Sequence, residues 1–408
     1  MHGQHFTPNV IFGLDPLIVS TVILVAVYGA IIYDKINRAI IALIAIGVII
    51  IIGLLRQEEA AKASPGGILL LLSIATAMLS ALLDNVTTVL LVVPVTMHIC
   101  DELEVPAYPY LFAEILASNI GGTATLIGDP PNILIGSLVD LSFNQFLFNL
   151  APVIVVIMAV QAVMTHFVWG RKLRSTPEHR ARVMAMRPIE TIEDWVLLRQ
   201  SLIILVGVIL GFVFARQLGL QPATIALFGA AMLMLADNWQ HHNEKQAENV
   251  HKTFSDVEWI TLAFFAGLFV VVHSVEVGGL LQILANKLVA ATGGSMSGAG
   301  YAILWSSAIL SAIIDNIPFV ATMIPMIKGM APALGGDAAI EPLWWCLSLG
   351  ACLGGNGTLI GASANLTVAG IAERNGVPFK FWTYTAYAFP MMLVSVAIAH
   401  IYVWLRYF

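Results

Sequence analysis

The chain has 408 residues, of which 59% are hydrophobic and 11% are charged, and its formal net charge at pH 7 is −6. A soluble globular domain carries about 25% charged residues, so this composition excludes a protein that is covered with polar side chains. Apolar runs long enough to cross a bilayer core of about 30 Å recur along the chain. The sequence therefore predicts an all-α polytopic membrane protein.

Apolar runs occur at residues 17–33, 36–55, 143–169, 201–216 and 261–273. They are uniformly apolar and do not alternate, which indicates helices and excludes a β-barrel. No basic stretch precedes the first run and no small-residue cleavage pattern follows it, so we expect no cleaved signal peptide.

Two motifs occur twice, in the same order. The first, at residues 80–94 and 311–325, reads SALLDNVTTVLLVVP and SAIIDNIPFVATMIP, with an offset of 231. The second, at 121–128 and 354–361, reads GGTATLIG and GGNGTLIG, with an offset of 233 that Asn132 and Asn365 also follow. Such a duplication predicts two structural repeats, as in many secondary transporters.

Each motif interrupts an apolar stretch with residues that disfavour helix. Asp-Asn pairs compete for backbone hydrogen bonds, so residues 84–85 and 315–316 are predicted tips of re-entrant hairpins. The glycine-rich segments predict broken transmembrane helices. Irregular backbone at bilayer depth persists only where protein or a watery cavity satisfies it, so four breaks predict one central site.

The positive charges orient these elements. Seven of the 19 Lys and Arg residues lie between Trp169 and Ser201, which predicts a cytoplasmic central loop in an inner-membrane protein. Counting crossings outward from this loop makes the two hairpins enter from opposite sides, so the repeats are predicted to be inverted. The first half is one crossing short near residues 57–66. Either this half is naturally shorter or a segment is absent there, and we expect the second.

The predicted boundaries follow from these motifs. The first repeat covers residues 1–170, with a hairpin at about 67–100 and a broken helix at about 107–139. A cytoplasmic linker covers 171–195. The second repeat covers 196–408, with a hairpin at about 298–330 and a broken helix at about 343–371.

At residues 80–94, 121–132 and 311–316 the sequence resembles the ArsB/P-protein branch of the ion transporter superfamily. That branch contains arsenite efflux pumps, P proteins and, more distantly, sodium–proton antiporters and dicarboxylate transporters. The resemblance covers nearly the whole chain. It implies a scaffold domain and a transport domain, often in a homodimer, with the substrate held between hairpin tips and helix breaks.

Acidic residues in apolar sequence are the candidates for ion coupling. Asp84 and Asp315 lie at equivalent positions and predict either a proton- or cation-binding pair or two helix caps. Asp129 has no counterpart, because Ala362 occupies the equivalent position, so it predicts either an ion site in one half or an N-cap. Glu114, near the first helix break, is the fourth candidate.

Uncharged polar residues at the breaks complete the predicted substrate and ion site. One alternative is that they bind a neutral hydroxide solute or a sodium ion together with free carbonyl groups. The other is that they donate hydrogen bonds to backbone groups that the helix breaks leave without partners. These residues are Asn85, Thr87, Asn119, Thr123, Thr125, Asn132, Asn316, Asn356, Thr358 and Asn365. The Cys352 thiol would suit trivalent arsenic, although a packing role is favoured because it lacks a partner cysteine in a C-x-x-C pair. No resident metal other than sodium is expected.

The resemblance implies efflux of arsenite or antimonite in exchange for protons as the leading functional prediction. The absence of Lys and Arg from the four breaks favours a neutral or cationic solute over an anion. Sodium–proton antiport is the alternative, and a carrier of dicarboxylates or other small anions ranks third. The sequence does not distinguish these carriers from a passive channel of the same fold. An intramembrane aspartyl protease is rejected because the segment before Asp129 lacks the first glycine of Gly-x-Gly-Asp, so we predict no enzyme.

The energy source follows from a missing motif. A phosphate-binding Gly-x-x-x-x-Gly-Lys-Ser/Thr loop is absent from the sequence, so no cofactor is expected and a proton or sodium gradient, or a soluble ATPase partner, would drive transport. The other expected partners are the lipid bilayer and a small inorganic solute. Nucleic acid is not expected, because acidic residues dilute the basic loop.

Overall fold

A computed structural model of the protein describes residues 64–185, 195–239, 243–255, 257 and 259–408. Within these ranges all regular secondary structure is helical and no strand occurs, so the predicted all-α class is confirmed. The apolar runs at 17–33 and 36–55, and most of the segment with the expected missing crossing at 57–66, lie outside the described residues.

The helices are numbered in chain order over the described residues. They are α1 (Pro65–Ser80), α2 (Asn85–Leu103), α3 (Tyr108–Gly122), α4 (Pro130–Val139), α5 (Phe143–Thr165), α6 (Pro177–Ala185), α7 (Trp195–Leu218), α8 (Pro222–Asn238), α9 (Asn243–Ser255), α10 (Trp259–Val277), α11 (Leu280–Ala291), α12 (Met296–Ser311), α13 (Asn316–Met330), α14 (Glu341–Gly354), α15 (Ser363–Arg374) and α16 (Phe381–Tyr407). A π-helical turn, His166–Gly170, extends α5.

Four helices in the described part of the chain are long and apolar enough to cross a membrane: α2, α5 with its π-helical turn, α7 and α16. Most of α10 and the whole of α11 form a pair of helices that is bent by 67°. If this pair counts as one span, it is the fifth helical segment that could cross a membrane. Many apolar side chains on these helices are exposed, including Phe148, Val155 and Trp404. Exposed apolar surface on this scale is typical of a lipid-facing protein.

The chain divides into two compact units. One, the motif unit, contains Leu69–Val93, Tyr108–Arg171 and Glu258–Phe408, and the four duplicated segments lie in it except for Pro94, the last residue of the first segment. The other contains the described residues of 64–68, of Pro94–Ala107 and of Lys172–Val257. Both predicted repeats contribute to the motif unit, and the inversion of one repeat relative to the other stays a prediction.

The predicted breaks fall between helices. Residues 81–84 separate α1 from α2, and residues 312–315 separate α12 from α13. Residues 123–129 separate α3 from α4, and a 3-10 turn, Gly355–Gly357, follows α14 before α15 begins. Pro130 starts α4, where the absence of a backbone N–H has no cost.

Two glycines allow helix backbones to touch. A Cβ atom at Gly121 of α3 would overlap the carbonyl oxygen of Ala77 in α1, and one at Gly354 of α14 would overlap that of Ala308 in α12. Only glycine leaves room for this approach. The first helix of each hairpin therefore packs directly against the helix that precedes a break.

Candidate functional site

Serine side chains tie each hairpin to a broken helix in the same way. The Ser80 hydroxyl donates to the Ser118 carbonyl oxygen at 2.6 Å, and the Ser311 hydroxyl donates to the Ala351 carbonyl oxygen at 2.7 Å. All four residues belong to the motif unit. Equivalent positions of the duplicated segments therefore make equivalent contacts.

Threonines in the breaks make a second duplicated contact. The Thr125 hydroxyl donates to the Ala81 carbonyl oxygen, and the Thr358 hydroxyl donates to that of Ala312 at 2.5 Å. Each acceptor lies in the segment that links the two helices of a hairpin, where the carbonyl groups lack regular helical partners. Thr125 and Thr358, predicted as substrate ligands, thus satisfy broken backbone.

Asn132 and Asn365 brace the breaks from the following helices. The Asn132 amide donates to the carbonyl oxygens of Thr123 at 3.1 Å and Thr125 at 2.9 Å. The Asn365 amide donates to those of Gly355 at 2.7 Å and Thr358 at 2.8 Å. Both hydrogens of each amide are used, so only the side-chain oxygens stay available for other groups.

Four buried asparagines form one connected group, the asparagine cluster: Asn85, Asn119, Asn356 and Asn365. The Asn85 amide donates to Asn119 Oδ1 at 2.9 Å. The Asn119 amide donates in turn to Asn356 Oδ1 at 2.9 Å and to Asn365 Oδ1 at 2.8 Å. Each of these three side-chain oxygens therefore accepts a strong N–H donor. The cluster joins the first hairpin to both helix breaks.

Asp129 lies at the centre of a second group, the carboxylate cluster: Asp129, Asn132, Asn316, Ser348 and Cys352. The Asn316 amide donates to Asp129 Oδ1 at 3.3 Å. Asp129 is fully buried, and no described group donates a hydrogen bond to its Oδ2. Asp129 occupies the N-cap position of α4, but its side chain makes no capping hydrogen bond. The alternative of a simple helix cap therefore leaves its carboxylate unexplained.

The remaining members of the carboxylate cluster surround Asn132. The Ser348 hydroxyl donates to Asn132 Oδ1 at 2.6 Å, and the Cys352 thiol lies 3.6 Å from the same oxygen. Ser348 and Cys352 are fully buried on α14. Sequence reasoning did not select Ser348 and favoured packing for Cys352. The offset of 233 could have singled out Cys352, because it is the equivalent of Asn119.

Asp84 and Asp315 both act as helix caps. Asp84 accepts from the Thr87 backbone N–H at 2.7 Å and from the Thr87 hydroxyl at 2.5 Å. Asp315 accepts from the Ile317 N–H at 3.0 Å and from the Ser363 hydroxyl at 2.9 Å. Every carboxylate oxygen of the two residues has a donor, which contrasts with Asp129. Ion binding by Asp84 or Asp315 stays a prediction.

Two helices begin at the carboxylate cluster and run side by side. Asp129 precedes α4 and Asn316 begins α13, so the contact between them joins the helix N-termini. Near the other ends, Lys328 Nζ donates to the Leu138 carbonyl oxygen at 2.7 Å. The N-terminal ends of α4 and α13 thus meet at Asp129, and the Asn316 amide donates to its carboxylate.

A tyrosine and a glutamate complete the surroundings. The Tyr384 hydroxyl donates to the Asn356 carbonyl oxygen at 3.2 Å and supports the second break from α16. Glu114 is fully buried on α3, five residues before Asn119. Its part in ion coupling stays a prediction.

A family model described as citrate transporter (CitMHS) matches residues 59–350, which is more than half of the chain. The chain belongs to the citrate transporter family. This family holds membrane transporters, so the predicted transport function is confirmed at that level. The matched residues include both hairpins and the first broken helix with Asp129. The closer placement in the ArsB branch stays a prediction.

Relatives support the same assignment. The uncharacterized transporter Rv2684 of Mycobacterium tuberculosis is 38% identical over 433 residues, which cover 96% of this chain and 99% of that protein. The uncharacterized transporter slr0753 of Synechocystis is 32% identical over 364 residues, covering 85% and 79% of the two chains. The P protein of Homo sapiens is 34% identical over 414 residues, which cover 82% of this chain and 48% of the P protein.

Proposed function

We propose that this transporter couples the movement of its solute to protons, and that Asp129 takes up and releases the coupled proton. The observation that carries this proposal is the fully buried Oδ2 atom of Asp129, which has no donor in the described structure. Burying a carboxylate without full compensation is costly, and intramembrane carboxylates of this kind often serve in proton relays. A proton or a small cation bound to Oδ2 would remove that cost.

The solute that we propose is arsenite or antimonite, carried outward across the inner membrane. The groups around Asp129 are amides, hydroxyls and one thiol. The sequence carries no Lys or Arg in 65–97, 108–139, 296–327 or 341–373, the segments that form both clusters. Neutral arsenous acid needs hydrogen-bonding groups and no fixed positive charge, and a thiol is a soft ligand that suits trivalent arsenic.

A citrate or dicarboxylate carrier is the second candidate, because the family model that matches the chain is described as citrate transporter. The N-terminus of α15 offers backbone N–H groups that would bind a carboxylate, whereas α4 begins with Pro130 and Pro131, which have none. The negative charge of Asp129 opposes this unless the residue is protonated or holds a cation. Sodium–proton antiport through Asp129 is the third candidate.

The remaining expectations belong to the same proposal. The proton gradient would supply the energy, with sodium as the alternative and a soluble ATPase as a further partner. The central loop over residues 171–195, which includes α6, would face the cytoplasm because of its basic residues. A homodimer with separate scaffold and transport domains is expected from the resemblance to the superfamily.

Transport assays in proteoliposomes test the proposal. Purified protein would be reconstituted with an imposed pH gradient, and fluxes of arsenite, sodium and citrate would be compared with those of empty liposomes. We expect gradient-dependent arsenite flux in the wild type. Arsenite flux equal to that of empty liposomes would refute the proposed solute, and citrate flux under the same gradient would establish the second candidate.

A further inference from the structure

The two clusters are built from equivalent positions. The offset of 233 pairs Asn119 with Cys352 and Asn132 with Asn365. The contacts are equivalent too: the Asn119 amide donates to Asn365 Oδ1 at 2.8 Å, and the Cys352 thiol lies 3.6 Å from Asn132 Oδ1. The same geometric position therefore holds an amide in one cluster and a thiol in the other.

The replacement of an amide by a thiol changes the strength of the hydrogen bonds that the neighbouring oxygens accept. An amide has two good N–H donors, and both donors of Asn119 are used within the asparagine cluster. A thiol has one weak donor. Asn365 Oδ1 accepts a strong hydrogen bond from the amide of Asn119. The equivalent oxygen, Asn132 Oδ1, accepts its strong hydrogen bond from the Ser348 hydroxyl instead. Among the described residues, the Cys352 thiol is the other group that approaches this oxygen.

Cys352 is also a neighbour of the carboxylate. Its thiol interacts with Asp129 and with the hydroxyls of Thr123 and Ser348. Asp129 Oδ2 has no donor from the described residues. The Cys352 side chain thus lies between two buried acceptors, the Asp129 carboxylate and Asn132 Oδ1, to which it can donate only weakly.

Charged and titratable groups on the neighbouring elements act on Asp129. Asp84 and Asp315 are the carboxylates that act on Asp129 through space, and Cys352 is the neighbouring thiol. In the described part of α13 the one basic side chain is Lys328, which binds the Leu138 carbonyl near the far end of α4. A cation would therefore enter an environment of net negative charge.

We propose that Cys352 determines whether the carboxylate cluster binds a hard monovalent cation, either a proton or sodium. Hard cations prefer oxygen ligands, so the thiol itself is not the ligand. Its role is to leave Asp129 Oδ2 without a donor and to donate only weakly to Asn132 Oδ1, where an amide such as that of Asn119 would donate strongly and close the site. The inference rests on the proposed role of Asp129 and is independent of the solute.

Cation-dependent stability of the purified full-length protein tests this inference. The midpoint of thermal unfolding would be measured in detergent without solute, with sodium or with choline at equal ionic strength, from mildly acidic to mildly alkaline pH. We expect sodium, acidification or both to raise the wild-type midpoint. Asp129→Asn should remove this response, because its amide cannot bind a proton or provide a charged ligand.

The variants at position 352 distinguish an open site from a closed one. Cys352→Asn should raise the cation concentration that gives half of the response by about tenfold or more. Cys352→Ala should keep the wild-type response, because it places no donor beside Asn132. Cys346→Ser, at a second buried cysteine of α14, is the matched control.

Several results would overturn the inference. A wild-type response in Cys352→Asn would do so, as would a wild-type protein with no response that depends on Asp129. If Cys352→Asn does not fold, the alanine variant decides, because loss of its response would mean that the thiol itself is needed. Failure of arsenite transport would leave all of these shifts unchanged, since no solute is present in the assay.

Discussion

The asparagine cluster and the carboxylate cluster use equivalent positions of the duplicated segments, yet they differ in how completely their polar atoms are paired. In the first, the side-chain oxygens of Asn119, Asn356 and Asn365 each accept an amide donor. In the second, Asp129 Oδ2 has no donor among the described residues. One duplicated framework thus carries a closed polar network and an open one.

This difference separates a structural role from a binding role. A buried polar group without a partner costs about 1–3 kcal/mol, and more when the group is charged. Every hydrogen bond in the asparagine cluster avoids such a cost, which suits a brace between hairpin and break. The carboxylate cluster retains the cost, which suits a site that is completed by a ligand.

The largest effect is expected from making the open cluster resemble the closed one. Asp129→Asn removes the negative charge while keeping the size of the side chain. We expect proton-coupled flux to fall by about a hundredfold or more, as when a positioned proton-transfer group is lost, with little change in the amount of folded protein. Flux in proteoliposomes and thermal unfolding measure the two quantities.

Unchanged transport by the Asp129→Asn variant would contradict this prediction. If Asp129→Asn keeps the wild-type flux and its dependence on pH, Asp129 serves only to end the break and begin α4. The open cluster would then have no role in coupling.

The second effect concerns the closed cluster. Asn119→Ala would leave the Asn85 amide and the side-chain oxygens of Asn356 and Asn365 without these partners, at about 1–3 kcal/mol for each group. We expect a marked loss of stability in thermal unfolding, with the response of Asp129 to cations preserved in the protein that stays folded.

Ser118→Ala is the matched control for this change. Ser118 is also buried on α3, but its hydroxyl donates within the helix, to Ile115 at 2.9 Å. Equal destabilisation by the two variants would show that the links between asparagines add nothing to stability.

The smallest effect is expected at the two caps. Asp84→Ala removes the cap of α2 and should cost about 0.5–2 kcal/mol. Asp315→Ala should cost more, because the buried end of α13 and the Ser363 hydroxyl of α15 both lose an acceptor. Thr87 is exposed, so its hydroxyl can turn to solvent when Asp84 is removed. Chemical denaturation of both variants compares the losses, and a larger loss at Asp84 would contradict this order.

The duplicated motifs made much of this framework predictable. They located the helix breaks and the residues that satisfy them, such as Asn132 and Asn365, because a glycine-rich interruption of an apolar run has few structural solutions. They also identified Asp129 as a residue without a counterpart.

The partners of these residues could not be predicted. Asn119 and Asn365 are separated by 246 residues, and their contact depends on how the helices pack. The sequence left the choice between ion ligand and cap open at Asp84, and the short contacts to Thr87 show the capping role. The equivalence of Cys352 with Asn119 was visible in the alignment of the repeats, but its meaning required the distance to Asn132.

The glycines at the helix contacts have a consequence for movement. Where Gly121 meets Ala77 and Gly354 meets Ala308, backbone lies against backbone, with no intervening side chain that could change its rotamer. A shift along such a contact would bring side chains into the space that the missing Cβ leaves, so we expect the contact to resist sliding. During a transport cycle α1 would travel with α3, and α12 with α14, as rigid pieces. The segments that change conformation would then be the connections outside these helix pairs.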